Sequence, residues 1–409
     1  MERNGKGTPR QPVRLKSDCS IGFMSTDWTV IAGIHWFGTG LTAAAAGYAC
    51  AVLFAALKSA HSMASLSDIR GLDLLQPVSI FKPLHGAEPR LYENLRGFCL
   101  QTHADYQLIF GVREPDDPAI AVVRRLQMEF PQLDMTLVID ARVYGTNLKV
   151  SNLMNMLPHA RHDWLVLADS DISVPADYLA RVSAPLADPG VGVVTCLYHG
   201  IARHGLWSHI GRLFIDDWFA PSVRLAHAFG STRFAFGSTI ALRRDTLLAI
   251  GGFETLRDVL ADDFWLGELT RKKQLRTVLS DLVVGTEVGE TRLSSLWMHE
   301  LRWLRTIRAI APLGFAMSFV CFTTPILVLG LCIAPNLLTA GFALCGGCAR
   351  VWLRFSQWRS HRGGSPWYEI ALIPLRDGLS LLEWAAALTG WRVGWRGQVL
   401  HARGNRPAP

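Results

Sequence analysis

The sequence predicts an α/β fold: a mostly parallel sheet with helices between its strands, joined to segments that cross or line a membrane. Three observations predict it. Short apolar runs alternate with helical stretches from residue 77 to residue 197, as in chained βαβ units. One run, Trp164-Leu165-Val166-Leu167-Ala168, leads straight into Asp169-Ser170-Asp171, with Pro175 just beyond. The run is short enough to be a buried strand, and open α/β sheets bind ligands beyond the carboxyl ends of their strands. Two carboxylates one residue apart at that edge suit a hard divalent cation, and through it a phosphate-bearing ligand. A solvated turn is the competing reading of a lone Asp-x-Asp. Finally, Trp28 to Leu57 contains no Asp, Glu, Lys or Arg, which is long enough to span a bilayer with some tilt.

Composition agrees. Half of the 409 residues are hydrophobic and 18% are charged, a mixture of a soluble domain and a few spans. The net charge of +7 and the 14 Trp fit basic cytoplasmic flanks and an aromatic belt at the lipid interface. There is no Lys/Arg run or nucleic-acid motif, so nucleic acid is not the expected partner. The eight Cys are scattered. Cys345-x-x-Cys348 lies in an apolar stretch without a nearby His, so packing explains it better than metal. No disulfide framework is indicated, and a reducing compartment fits.

In order along the chain, residues 1–27 read as a polar, basic, disordered tail, and 28–57 as a transmembrane helix, with a secretory signal peptide as the competing reading. Residues 58–76 are a linker, and 77–295 the α/β domain. Within that domain, Pro77–Gly86 reads as a strand ending in a turn, 88–100 as a helix and 107–112 as a second strand. The turn Arg113-Glu114-Pro115-Asp116-Asp117-Pro118 precedes a helix to about residue 130. A third strand covers 135–139, and a helix 147–160 has Lys149 near its start. The central strand follows, then another helix and a fifth strand at 191–197. Phe236-Gly237-Ser238 precedes a strand at 239–242, and Gly237 either offers a point without a side chain where a ligand can approach the backbone or forms an ordinary tight turn. Gly251-Gly252 reads as a helix-terminating turn.

Arg302, Arg305 and Arg308 recur every three residues, with Leu301, Leu304 and Ile307 on the other side. That pattern predicts an amphipathic interfacial helix over 296–311. Residues 312–353 read as a transmembrane hairpin turning at Pro335-Asn336. Residues 354–409 read as a basic loop, an interfacial or re-entrant segment and a tail. Pro374, Arg376, Asp377 and Glu383 argue against a clean span there. Five Lys/Arg within residues 1–23 oppose an external N-terminus under the positive-inside rule. Translation starting at Met24 removes the conflict, and is the expectation.

The motifs Lys82-Pro83-Leu84-His85-Gly86, Asp116-Asp117-Pro118, Lys149-Val150-Ser151-Asn152, Asp169-Ser170-Asp171, Leu260-Ala261-Asp262-Asp263 and Arg302-Trp303 occur in an order that resembles ceramide glucosyltransferases. These are membrane-bound inverting enzymes of the GT-A fold that use nucleotide sugars. The resemblance covers residues 76–310. The run from His299 to Arg308 looks most like a bacterial branch associated with hopanoid biosynthesis. That resemblance implies transfer of N-acetylglucosamine from UDP-GlcNAc to a hopanoid polyol in the bacterial inner membrane, by a multi-pass protein with its catalytic domain in the cytoplasm.

It further implies that Asp169 and Asp171 hold Mg2+ or Mn2+ against the donor, and that Lys149 contacts a phosphate. Asp116 or Asp117 would face uracil or ribose, with a turn and helix cap as the plain alternative. Asp263 would take the acceptor's proton, and burial beside aromatics would raise its pKa usefully. Asp262 is the rival. Arg302 would lie near the diphosphate and Trp303 near the acceptor mouth. The related families carry Gln or Arg where this chain has His299, which leaves that position's contact open. Ceramide glucosylation from UDP-glucose is the alternative reaction, and a catalytically silent membrane scaffold the alternative of another class. A processive polysaccharide synthase lacks support, because its translocating helices are missing.

Overall fold

The computed structural model describes residues 28–65, 76–203, 205–361, 365–395, 398–402 and 407. The basic tail, including the expected start at Met24, most of the linker, and Arg362, Arg403 and Arg406 lie outside the described residues.

The first strand, β1 (Val78–Pro83), is buried at all six positions. Helix Leu91–Cys99 follows, burying Leu91, Leu95 and Phe98. Then come β2 (Tyr106–Val112), helix Ala119–Glu129, β3 (Asp134–Ile139) and helix Leu148–Met156. Asn147 caps the last of these helices, its side chain accepting from the Val150 amide at 3.1 Å. The central strand β4 (Trp164–Leu167), the two-residue β5 (Ile172–Ser173), β6 (Val191–Ala202), β7 (Ile240–Arg243) and β8 (Arg276–Val288) complete an eight-stranded sheet. Its order is β3-β2-β1-β4-β7-β6-β8-β5.

Strands β1 to β4 pair in parallel, as βαβ crossovers require. Strand β7 then runs antiparallel between β4 and β6, while β6 and β8 pair in parallel. Two apolar cores pack the sheet: one is built around Phe98, Phe110 and Tyr178, the other around Phe81, Leu165 and Phe253. Strand β6 runs five residues past the predicted end, because residues 197–202 pair with residues 283–288 of β8. β8 itself carries no period strong enough to have been predicted.

Around the sheet lie the apolar helices. Helix Trp28–Ser65 packs against Thr323–Ile333 and Leu337–His361. Small residues let these backbones approach: a Cβ on Gly330 would sit 2.8 Å from the Gly38 carbonyl oxygen. Residues 29–58 are long and apolar enough to cross a membrane. Helix Pro312–Cys321 and helix Thr323–Ile333 pass the same test only as a pair bent by 73°.

Within the segment read as interfacial or re-entrant, residues Pro366–Ala387 form one continuous helix with Pro374 inside it. Its charges do not break it because protein matches them. Arg376 pairs with Glu300 at 2.8 Å and Glu383 at 2.6 Å. Asp377 takes Arg350 at 2.8 Å, and Arg350 also reaches Asp217 at 3.0 Å. Helix Leu293–Ile310 likewise packs on protein. Its Arg305 donates to the Arg392 and Thr389 carbonyls at 2.5 and 3.2 Å, and Arg308 to the Gly390 carbonyl. Two of the three periodic arginines therefore satisfy backbone beyond the end of Pro366–Ala387.

Candidate active site

Beyond β4, each residue of Asp169-Ser170-Asp171 is held by a different side chain. The fully buried Lys82 at the end of β1 donates to the Asp169 carbonyl. The Ser170 hydroxyl donates to Glu88 at 2.7 Å. Thr286 of β8 donates to Asp171 Oδ2 at 2.9 Å and pairs through its backbone with Ile172 of β5. The carboxylates are thus presented at the sheet edge by β1 and β8 together.

Lys149 brings its ammonium to 2.5 Å from Asp169 Oδ1 and 3.9 Å from Asp262 Oδ2. Asp262 also accepts from Asn147 Nδ2 at 3.2 Å. Asp263 lies in the first turn of helix Asp262–Lys272. Its Oδ1 accepts from the Phe264 amide at 2.7 Å and its Oδ2 from the Gly237 amide at 3.0 Å. Gly237 is where these groups converge. A Cβ there would stand 3.0 Å from Asp169 Oδ2, 3.1 Å from Lys149 Nζ and 3.6 Å from Asp263 Oδ2. The absence of a side chain is what admits all three.

Burial sets the protonation here. It lifts Asp263 to about 6, with Asp262 adding to the rise and Lys149 opposing it. It lifts Asp171 to about 7, reinforced by the charges of Asp169 and Glu88. Burial drops Lys82 to about 7 against the pull of Asp169 and Asp171. Carboxylates that repel one another this strongly at a sheet edge fit a divalent cation. Among the described residues there is no cluster of three or more His, Cys, Asp or Glu that would enclose one. Asp169 and Asp171 could supply two ligands to a hard cation, the remaining oxygens coming from water and a phosphate ligand.

These groups floor a cavity of about 650 Å³. The same cavity is also lined by aromatics, Trp218, Phe219, Phe234, Phe236 and Trp303, and helix Leu293–Ile310 contributes Ile307 and Ile310. Arg302 and Trp303 both line it, with the Trp303 ring stacked 5.9 Å from Phe214. Asp116 and Asp117 do not line it. Asp116 is exposed. Asp117 is buried, accepting the Gly86 amide on both oxygens at 3.0 Å and the Ala119 amide at 2.9 Å. It is the cap of helix Ala119–Glu129 and pins the loop after β1.

Sequence reasoning assigned no part to Lys82, Glu88, Thr286 or Glu290. A lysine inside the apolar run of β1 was the one available signal. The other three act through long-range pairing.

A carboxylate-edged α/β sheet beside a half-apolar cavity places the molecule in the GT-A class of glycosyltransferase folds. More particularly, the chain belongs to Glycosyl transferase family 21, whose profile matches residues 42–408. Ceramide glucosyltransferase 1 of Caenorhabditis elegans is 23% identical over 239 residues, which is 58% of this chain and 51% of that protein. The ceramide glucosyltransferase of Candida albicans is 27% identical over 119 residues, 26% of this chain and 22% of that one. The chain spans about half the length of the first of these curated relatives. Among solved structures, the mannosyltransferase PcManGT of Pyrobaculum calidifontis, in complex with GDP-Man and Mn2+, matches with TM-score 0.44. It is 20% identical and covers 84% of this chain and 99% of its own. Glucosyl-3-phosphoglycerate synthase of Mycobacterium tuberculosis, with Mn2+, UDP and glucosyl-3-phosphoglycerate, matches with TM-score 0.38. It is 14% identical, covering 58% and 80%.

Proposed function

We propose that this protein is a membrane-bound inverting glycosyltransferase that moves a sugar from a UDP-sugar onto a lipid hydroxyl. The observation that carries the reading is the single cavity joining the acidic floor at Asp169, Asp171 and Asp263 to the aromatic wall. A charged, hydrophilic donor and an apolar acceptor need such a two-sided site. N-acetylglucosamine from UDP-GlcNAc and a hopanoid polyol are the proposed sugar and lipid. Glucose and ceramide are the alternative, in keeping with the names of the relatives above. The proposed setting is the bacterial inner membrane, with residues 58–311 on the cytoplasmic side, where UDP-sugars are.

In this reading Asp169 and Asp171 hold a divalent cation, which when bound neutralises charge on the departing diphosphate. Lys149 and Arg302 supply fixed positive charge on either side of the phosphates. Asp116 remains the proposed contact to the nucleoside, while Asp117 shapes its loop. Asp263 accepts the proton of the lipid hydroxyl as that oxygen bonds to the sugar's C1. The C1–oxygen bond to the diphosphate breaks on the opposite face. One displacement turns an α-linked donor into a β-linked product.

Purified protein given UDP-GlcNAc or UDP-glucose with a bacterial lipid extract should yield a glycolipid detectable by mass spectrometry. UDP binding with no transfer to any lipid would favour the scaffold reading instead. Asp171→Asn should keep the fold and lose most transfer, and chelator should abolish transfer until Mg2+ or Mn2+ is restored. Undiminished activity in either test removes the metal role.

Transfer should also depend on pH. The groups facing Asp263 are Asp262, Lys149 and the amides of Gly237 and Phe264. With its pKa lifted to about 6, Asp263 is a protonated, inactive base below that value and a competent one above it. The rate should climb as pH rises through about 6 and then level off. A rate that stays flat from pH 5 to pH 8 would contradict the assignment.

A further inference from the structure

Tyr198 lines the cavity and has no part in the mechanism above. It lies near the end of β6, where it pairs with Val284 of β8, and Gly200, two residues on, pairs with Thr286. Alternate residues of a strand share a face. Tyr198 is therefore on the same side of the sheet as Thr286, whose hydroxyl holds Asp171.

The ring is fixed from two directions. It stacks on Phe219, with centroids 4.8 Å apart, and stands at 82° to Phe236, 6.3 Å away. Phe236 adjoins Gly237, whose amide holds Asp263. Phe219 ends a single π-helical turn, Ile215–Phe219, a feature that recurs at functional sites. Asp216 in that turn accepts the Gly200 amide at 2.9 Å. Asp217 pairs with Arg350 and Arg354 at 3.0 and 2.7 Å. The turn behind Tyr198 is thus tied to both β6 and helix Leu337–His361, and the phenol is placed before any ligand arrives.

Among the described residues the hydroxyl has no hydrogen-bond partner, although an enclosed tyrosine normally finds one. Burial, with the charges of Asp263, Asp171 and Asp169 added and Arg302 opposing, pushes the phenol above the ordinary tyrosine range. It is a neutral O–H donor at any working pH. The three carboxylates that act on it are those the proposed mechanism sets on two sides of the transferred sugar. Asp169 and Asp171 lie toward the departing diphosphate, and Asp263 toward the attacking hydroxyl. A donor that feels all three faces the space between them, where the sugar must lie. In this reading the cationic donors Lys149 and Arg302 serve the phosphates, and the neutral phenol suits a sugar hydroxyl.

We infer that Tyr198 is a specificity residue for the donor: its phenol donates a hydrogen bond to one of the hydroxyl oxygens, at C3, C4 or C6, that glucose and N-acetylglucosamine share. This rests on the glycosyltransferase reading of the site and deepens it.

The test uses the full chain in detergent with Mn2+ and without acceptor lipid. Isothermal titration gives its affinities for UDP, UDP-glucose and UDP-GlcNAc. Tyr198→Phe keeps both ring contacts and removes only the hydroxyl. It should weaken binding of the tighter UDP-sugar by about tenfold, the factor that about 1.4 kcal/mol supplies. UDP affinity should stay unchanged, since UDP carries no sugar. The 3-, 4- and 6-deoxy analogues of that donor then identify the partner oxygen. Removing it should cost the wild type about tenfold and Tyr198→Phe nothing further, the coupling that a double-mutant cycle isolates. Equal donor affinities in wild type and Tyr198→Phe, a parallel loss for UDP, or a loss that no deoxy analogue absorbs overturns the inference alone. In transfer assays with a bacterial lipid extract, an effect confined to the acceptor KM would set the phenol against the lipid and overturn it too. A wild-type protein that binds neither UDP nor a UDP-sugar overturns the glycosyltransferase reading and this inference with it.

Discussion

Asp263→Asn is expected to abolish nearly all transfer while leaving UDP-sugar binding close to wild type. Both carboxylate oxygens of Asp263 are positioned by backbone amides, at 2.7 and 3.0 Å. The side chain is therefore fixed before any substrate arrives. Burial raises its affinity for a proton to a pKa of about 6, which suits a base working near neutral pH. Asparagine keeps the shape but cannot take the proton, and a positioned general base is worth about 10²–10⁴-fold. Asp262 has a different set of neighbours. It accepts from Asn147 at 3.2 Å and lies 3.9 Å from Lys149, so Asp262→Asn should weaken positioning and cost much less. Initial rates and UDP affinities for both variants, with the anomeric configuration of the product, decide the matter. A heavier loss in Asp262→Asn, or an α-linked product, would mean the wrong carboxylate or the wrong mechanism.

Arg376→Met should be among the most destabilising single substitutions in the chain. Arg376, Glu300 and Glu383 are each 1% exposed or less. The guanidinium reaches both Glu300 oxygens, at 3.0 and 2.8 Å, and Glu383 at 2.6 Å. Without it two carboxyls remain buried against each other, the situation in which breaking an ion pair costs about 3–5 kcal/mol. Helix Leu293–Ile310, which carries Arg302 and Trp303, would lose its tie to helix Pro366–Ala387, so transfer should fall together with stability. Arg124→Met, at an exposed position, should change stability by no more than about 0.5 kcal/mol. Neutralising both glutamates with Arg376→Met should recover much of the loss. Thermal unfolding of the four proteins in one detergent compares them. An Arg376→Met variant that melts with the wild type would show that the trio does not hold these helices together.

How far the sequence reached varies by element. Strands β1 to β4 and the helices between them are visible in it. β1, β2 and β4 are buried at every position, and such strands announce themselves as short, mostly apolar runs. Asp169-Ser170-Asp171 was legible because it ends such a run. β8 was not, because a strand paired to β6 across some eighty residues, with mixed burial along its length, carries no local period. The charges of 366–387 argued against a clean span, but a sequence shows Arg376 without showing Glu300, its partner some seventy residues earlier.

The sequence by itself determined the α/β class, the acidic edge after β4 and the apolar character of residues 28–57. Each of these follows from short-range pattern, where burial and turn chemistry are written in adjacent residues. Only the tertiary structure decided that Asp117 is a backbone cap and that Lys82 and Thr286 hold the acidic pair. It alone paired His299 with Glu290, and turned Arg305 and Arg308 away from the cavity to bind backbone carbonyls. Those outcomes depend on which distant groups meet in a buried place. There an unpaired charge or donor costs several kcal/mol, and partner choice follows from packing geometry that no local stretch of the chain contains.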